Sequence, residues 1–254
     1  MTGEGNWTWL LPGRVPTLID AGTGDQRHLD AVDAALARAP LSQVIVTHAH
    51  GDHASGAPAL RSRWPEARFF KMPWTARDDR WPVSWIHVAD RDAIQAGDSS
   101  LAVVHTPGHA PDHICLWHLE SRILFGGDLA IQDTTVFIPA GPDGDAAAYV
   151  QSLARVLALA PARIMPAHGP VIDDPEALLR AYIRHRRQRE LQIIDAIRHG
   201  NGTPDAIVAR IYRGLDDTLR SRARETVIAH LRKLEREGRV RLTNDAWHIS
   251  LDGT

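Results

Sequence analysis

Seven consecutive residues, Thr47-His48-Ala49-His50-Gly51-Asp52-His53, set three imidazoles and a carboxylate beside one another. Imidazole nitrogen and carboxylate oxygen are the donors that zinc and its neighbours take in catalytic sites. Matching donors recur downstream. His109 closes Thr106-Pro107-Gly108-His109, Asp128 follows the run Ile123 to Gly127, and His168 stands in Pro166-Ala167-His168-Gly169. One cysteine, Cys115, leaves no Cys-rich structural zinc site, and it reads as a buried, inert thiol. Two ions about 3.5–4 Å apart can activate a water and polarise a carbonyl or phosphoryl oxygen. The chemistry that the residue types allow is therefore metal-assisted hydrolysis.

Donors scattered over 120 residues meet only if regular elements carry them to one edge. Each follows a short apolar run: Leu41 to Val46, Leu101 to His105, Ile123 to Gly127 and Arg163 to Met165. Such runs read as buried strands, and open α/β sheets keep their chemistry at the carboxyl ends of strands. Gly51 is expected to let the first loop turn tightly. Asn6 to Leu11 and Pro16 to Asp20 read as a hairpin that runs into Asp20-Ala21-Gly22-Thr23-Gly24, a strand-to-helix connection rather than a phosphate cradle. Apolar residues at helical spacing mark Asp25 to Ala39 and Ala146 to Leu159.

After His168 the pattern becomes helical. Helices are expected over Pro175 to His199, Pro204 to Tyr212 and Arg220 to Glu237, the last stopped by Gly238. Arg239 to Leu242 and Trp247 to Leu251 alternate as a short hairpin around Asn244-Asp245, so the tail resembles a winged helix. Arg180, Arg184, Arg186, Arg187 and Arg189 are expected on one charged face. Residues 180–241 carry 16 Lys and Arg against 8 Asp and Glu, a net of +8, and the rest of the chain carries −10. A basic tail suits either a solvated face paired with acidic groups or a nucleic-acid footprint.

The 254 residues are 44% hydrophobic with a net charge of −2, enough for one large domain and a small one. Met1 to Leu11 lacks the basic and apolar stretches of a signal peptide, and no apolar run reaches the roughly 18–20 residues that span a bilayer. With one cysteine and no disulfide, a cytoplasmic protein without a membrane partner is expected. Asp112 and His113, just after His109, are placed to orient that ligand or touch substrate. Trp64, Trp74, Trp81 and Trp85 read as core, with a pocket wall as the alternative. His28, His118, His199 and His248 have no companion donors and read as surface or core residues.

The HxHxDH motif, the downstream His109, the Gly127-Asp128 step and Pro166-Ala167-His168-Gly169-Pro170 resemble the metallo-β-lactamase superfamily. Thr134 to Phe137, His185-Arg186-Arg187, His230 to Leu234 and Glu237 to Val240 resemble its lactamase-beta-2-type branch. The resemblance implies an α/β fold: an αββα sandwich over residues 1–174, then a small, mainly helical winged-helix-like domain over 175–254. It implies one metal on His48, His50 and His109, a second on Asp52, His53 and His168, and Asp128 bridging both. Two Zn²⁺ are implied, with Fe or Mn able to take their place. Asp52 and Asp128 are the expected catalytic carboxylates, with Asp52 passing a proton to the leaving group. Asp20, Thr134, Thr135 and Arg187, with Asp112 and His113, are expected around the ligands or the substrate.

Three functions follow. The first is hydrolysis of a phosphodiester such as RNA by metal-activated hydroxide, supported by the branch and the basic tail. The second is the same site on a thioester, lactone or other small acyl compound, as in glyoxalase II and lactonase relatives. The third, a nucleic-acid-binding regulator with a degenerate metal domain, sits poorly with a complete ligand set. A secreted β-lactamase is disfavoured by Asp128 and by the missing leader, and an iron dioxygenase by Asp52-His53 and His168 together. A homodimer is the default for an enzyme of this size.

Overall fold

The computed structural model describes residues 5–37 and 39–250. Met1 to Glu4 of the N-terminal stretch, Arg38 of the first helical segment and Leu251 of the final hairpin lie outside the described residues. The chain divides into two compact units. The first comprises residues 1–106, 112–134 and 159–176; the second comprises 107–111, 135–158 and 177–254. The division expected between residues 174 and 175 is linear, whereas the second unit also takes two earlier segments.

The first unit holds two five-stranded sheets. One runs in the order β1 (Trp9–Leu11), β2 (Thr17–Ile19), β3 (Gln43–Ile45), β4 (Arg68–Lys71), β5 (Trp85–His87), with β1 antiparallel and the rest parallel. The other runs β10 (Arg163–Pro166), β9 (Ile123–Gly127), β8 (Ile114–His118), β7 (Ser99–His105), β6 (Ala93–Ala96), antiparallel except for the β10–β9 pair. Strand periodicity decides which side chain faces which layer. Leu18, Val44 and Phe69 point to one core with Leu29 and Val32 of α1 (Gln26–Ala35), Leu36 just after it, and Leu60 of α3 (Ala57–Arg63). Their neighbours Ile19, Ile45 and Phe70 point the other way, against Leu101, Val103, Leu116 and Phe125 of the second sheet. Two cores thus lie on the two faces of the parallel sheet, so its strands read as continuous apolar runs. The short helices α2 (Gly51–Ala54) and α4 (Thr75–Asp78) follow β3 and β4. Trp64, Trp81 and Trp85 belong to or pack against the helix-side core, and Cys115 is buried.

The second unit has its own core. Ile193, Ile194 and Ile197 of α6 (Pro175–Arg198), Ile207 and Val208 of α7 (Pro204–Ile211), and Val227, Leu231 and Leu234 of α8 (Asp217–Arg236) pack with Val240 and Trp247. Those last two lie on β11 (Val240–Thr243) and β12 (Ala246–Ile249), joined by Asn244 and Asp245 at φ 49° and 61°. Two positive φ values in a two-residue loop are what a tight hairpin turn demands, and Asn and Asp tolerate them. The α5 helix (Ala146–Leu159) also contributes to this unit. The expected charged face of α6 needs correction. Arg186 is buried, donates to the Val136 carbonyl at 2.5 Å and stacks 5.0 Å above the Tyr149 ring. Arg189 lies 4.2 Å over Tyr212, while Arg184 and Arg187 are exposed.

Gly51 does not serve the turn it was expected to serve: its φ is not positive, and a Cβ there would meet nothing within 4 Å. Gly56 is the demanding position, because a Cβ would sit 2.1 Å from the Ala21 carbonyl and 2.7 Å from the Gly24 nitrogen. Gly56→Ala is therefore expected to lower unfolding stability in urea by about 3 kcal/mol, the upper range for overpacking. Gly51→Ala is expected to stay within about 0.5 kcal/mol of the parent. Equal stabilities for the two variants would contradict this reading of the loop.

Candidate metal centre

Three strand ends of the first unit bring its donors together. β3 leads through Thr47 into His48 and His50, and α2 then turns Asp52 and His53 back toward them. His48 Nε2 lies 2.9 Å from His50 Nδ1. β9 delivers Asp128, whose Oδ1 stands 3.4 Å from His53 Nε2 and 3.3 Å from His168 Nε2. β10 delivers His168, whose Nε2 is also 3.3 Å from Asp52 Oδ2. Two overlapping donor groups result, His48–His53–Asp128 and Asp52–His53–His168, each with ligand atoms within 4.8 Å of one another.

The far sides of the rings decide which nitrogen is bare. His53 Nδ1 donates to Asp20 Oδ2 at 2.8 Å, and His168 Nδ1 donates to the Gly5 carbonyl at 2.9 Å. Carbonyl and carboxylate oxygens only accept, so Nε2 of each ring keeps its lone pair for a metal. Both Nε2 atoms are buried without a hydrogen-bond partner among the described residues. Buried polar atoms are rarely left so, and a divalent cation is the group that fits this donor set. In the second unit, His109 follows the same rule: its Nδ1 donates to the Phe137 carbonyl at 2.8 Å.

Asp20, expected near the ligands, is placed against Thr47 and His53. Buried, with φ 63°, it accepts from the Thr47 amide at 2.7 Å and the Thr47 hydroxyl at 2.9 Å as well as from His53. Asp112, also buried, accepts from the Ala49 amide at 2.9 Å and so holds the backbone between two ligands. His113 Nε2 accepts from the Asp128 amide at 3.0 Å, which leaves the proton on Nδ1 to be donated to Thr106 Oγ1 at 2.8 Å. Gly127 precedes Asp128 at φ 50°, where a Cβ would collide with that His113 nitrogen at 2.7 Å. Thr134, Thr135 and Arg187 are exposed. The bonds of Thr47 and of the Gly5 and Phe137 carbonyls escaped sequence reasoning, whereas Trp74, read there as core or pocket wall, is buried with its ring edge-on to His50 at 6.4 Å. A carbonyl leaves no trace in residue type.

Charge dominates the centre. Burial works against a charged His53, but Asp20 and Asp128 outweigh it and hold the imidazole well above its usual range. Burial likewise lowers His168, and the Asp52 carboxylate beside it with the Asp128 charge overcomes that, leaving it raised. Asp52 is pushed up by burial yet ends lowered, because His168 and His53 stabilise its charge. Asp112 ends raised: burial prevails over the Lys71 ammonium beside it.

A pair of sheets with helices, carrying histidine and carboxylate donors at their strand ends, is an α/β arrangement able to hold a metal ion. Residues 1–168 match the metallo-beta-lactamase superfamily and residues 203–247 match the beta-lactamase associated winged helix domain. The chain belongs to the metallo-beta-lactamase superfamily of hydrolases, with the αββα fold and a C-terminal winged helix. It is 32% identical to a beta-lactamase-like protein 2 homolog of Drosophila melanogaster, over 97% of this chain and 87% of that protein. It is 28% identical to an atrochrysone carboxyl ACP thioesterase of Emericella nidulans, over 94% of this chain and 76% of the other. A metallo-beta-lactamase family protein of Thermus thermophilus superposes with a TM-score of 0.80 at 19% identity, covering 96% of this chain and 93% of that one. The metallo-beta-lactamase FIM-1 of Pseudomonas aeruginosa, solved in a mono-zinc form, gives 0.56 at 22% identity over 69% and 80% of the two chains. Another neighbour, solved in a di-iron-bound form, gives 0.56 at 26% identity over 68% and 92%.

Protons and metal ions compete for the same imidazole lone pairs. Because His53 and His168 are raised above 6.5, apparent zinc affinity is expected to fall on acidification already above that pH. For the metal-free protein the sign reverses: a raised folded pKa contributes stability present below 6.5 and lost as pH climbs through the folded value. Thermal midpoints measured from about pH 6 to about pH 8.5 should fall without metal and rise with zinc. Parallel trends would show that these histidines do not hold the ion.

Proposed function

We propose that the chain is a dinuclear zinc-dependent hydrolase of activated acyl compounds, with a thioester as the favoured substrate class. His48, His50 and His109 would hold one ion, Asp52, His53 and His168 the other, with Asp128 available to both; iron or manganese would suit the same donors. When bound, the ions supply an activated water and Lewis acidity toward the developing oxyanion. The chain's own part is to fix that geometry: Asp20, the Gly5 carbonyl and the Phe137 carbonyl set the three ring tautomers, and His113 holds the backbone amide of Asp128.

Asp52 favours the acyl class. Its side chain is 28% exposed, the most open of the four donors that converge around Asp128, and its pKa is lowered against the pull of burial. An ionised carboxylate is a poor proton donor, so the proton transfer expected of Asp52 fits less well than a role as ligand. A thiolate departs without protonation, whereas the alkoxide of a phosphodiester needs a proton. The thioesterase relatives, matched over most of the chain, support the same choice.

The tail offers less to a nucleic acid than its charge suggests. Arg210, Arg220, Arg224 and Arg236 pair with Asp195, Asp217, Asp205 and Asp145, and Lys233 pairs with Glu190. Phosphodiester cleavage stands as the second reading on the exposed Arg184 and Arg187 of α6, with the exposed Thr134 and Thr135 proposed as further polar groups for the substrate. Zinc-loaded protein is expected to hydrolyse an acyl-pantetheine thioester in a chelator-sensitive way and to leave single-stranded RNA intact. Asp128→Asn should cost at least about 100-fold in kcat while leaving the thermal midpoint of metal-free protein close to the parent's. RNA cleavage with no thioester turnover would reverse the order of the two readings.

A further inference from the structure

Lys71 ends β4 and is fully buried, and no substrate-side role explains a cation there. An ammonium has three donors, and three acceptors meet them. Nζ lies 2.6 Å from the Met72 carbonyl, 2.5 Å from Asp78 Oδ1 and 3.1 Å from Asp112 Oδ2. Each carboxylate passes its hold on to the metal loop. Asp112 Oδ2 also accepts from the amide of Ala49, the residue between His48 and His50, at 2.9 Å. Asp78 Oδ2 accepts from the Trp74 amide at 2.9 Å, and the Trp74 ring meets His50 edge-on. The other Asp112 oxygen, Oδ1, is buried with no hydrogen-bond partner among the described residues, so its charge leans on the ammonium. Taking a lysine and two aspartates out of water is costly, and an apolar side chain would pack a strand end at lower cost. What the apolar residue could not do is fix two carboxylates at once.

We infer that Lys71 is a positioning residue of the metal centre: through Asp112 it sets the backbone of the His48–His50 loop, and through Asp78 and Trp74 it sets the His50 ring. The inference rests on the reading that His48 and His50 hold an ion. It concerns one side of the centre, because Asp52, His53 and His168 receive none of these contacts.

Affinities for the two ions, measured with cobalt and zinc against a competing chelator, distinguish positioning from mere packing. Lys71→Met should weaken one of the two ions by at least about tenfold and leave the other near its parental affinity. Asp112→Asn keeps the shape and an acceptor for the Ala49 amide but loses the ion pair. It should show a smaller loss at the same ion, and it carries the test if Lys71→Met does not fold. Circular dichroism and the thermal midpoint of each metal-free variant establish folding independently of activity. Parental affinity for both ions in a folded variant, or equal losses at both, would overturn the inference. A parent chain that binds no divalent ion would instead remove the metal centre itself.

Discussion

The carboxylate of Asp20 is the interaction from which the centre is built outward. It sits buried at the end of β2 in a left-handed backbone conformation and takes the Thr47 amide, the Thr47 hydroxyl and the His53 ring. Hydrogen bonds to a charged group contribute roughly 1.5–3 kcal/mol each, and these three join β2, the end of β3 and α2. The Thr47 carbonyl in turn accepts the Ile114 amide of β8 at 2.9 Å, which links the two sheets at the same point. With Asp20 in place, His53 presents Nε2 and the motif helix faces β9 and β10. Without it, the His53 ring could turn over and the loop would lose its anchor.

That anchoring creates an electrostatic problem which the ligand set answers. Asp20, Asp52 and Asp128 all lie within 4 Å of the His53 ring, in a space largely closed to water. Carboxylates so placed repel one another unless positive charge stands among them. In the metal-free protein His53 and His168 supply it by holding protons, which is why both are raised against burial. A divalent ion supplies it better, because it uses the bare nitrogens and the carboxylate oxygens together. The same charges underlie both the expected metal binding and its expected pH dependence.

Much of this was legible in residue type and spacing. Donors after apolar runs marked strand ends, and the runs from Leu41, Leu101 and Ile123 are strands β3, β7 and β9. The helices after residue 174 were found to within a few residues, since i, i+3, i+4 spacing survives in any context. Space was not legible. Gly51 looked like the hinge of the motif, yet the backbone is crowded at Gly56. Arg186 looked solvated from its charge, yet it is buried against Val136 and Tyr149. Lys71 drew no attention in an apolar strand, because its partners Asp78 and Asp112 are 7 and 41 residues away. Among the described residues, no helix is long and apolar enough to cross a membrane, as the hydropathy pattern led one to expect.

Placement of the ions is the most direct test of the account. Anomalous diffraction from crystals soaked in zinc should show two peaks. One should be bounded by His48, His50 and His109, the other by Asp52, His53 and His168, with Asp128 reaching both. A single peak, or zinc bound away from the His53 and His168 Nε2 atoms, would contradict it.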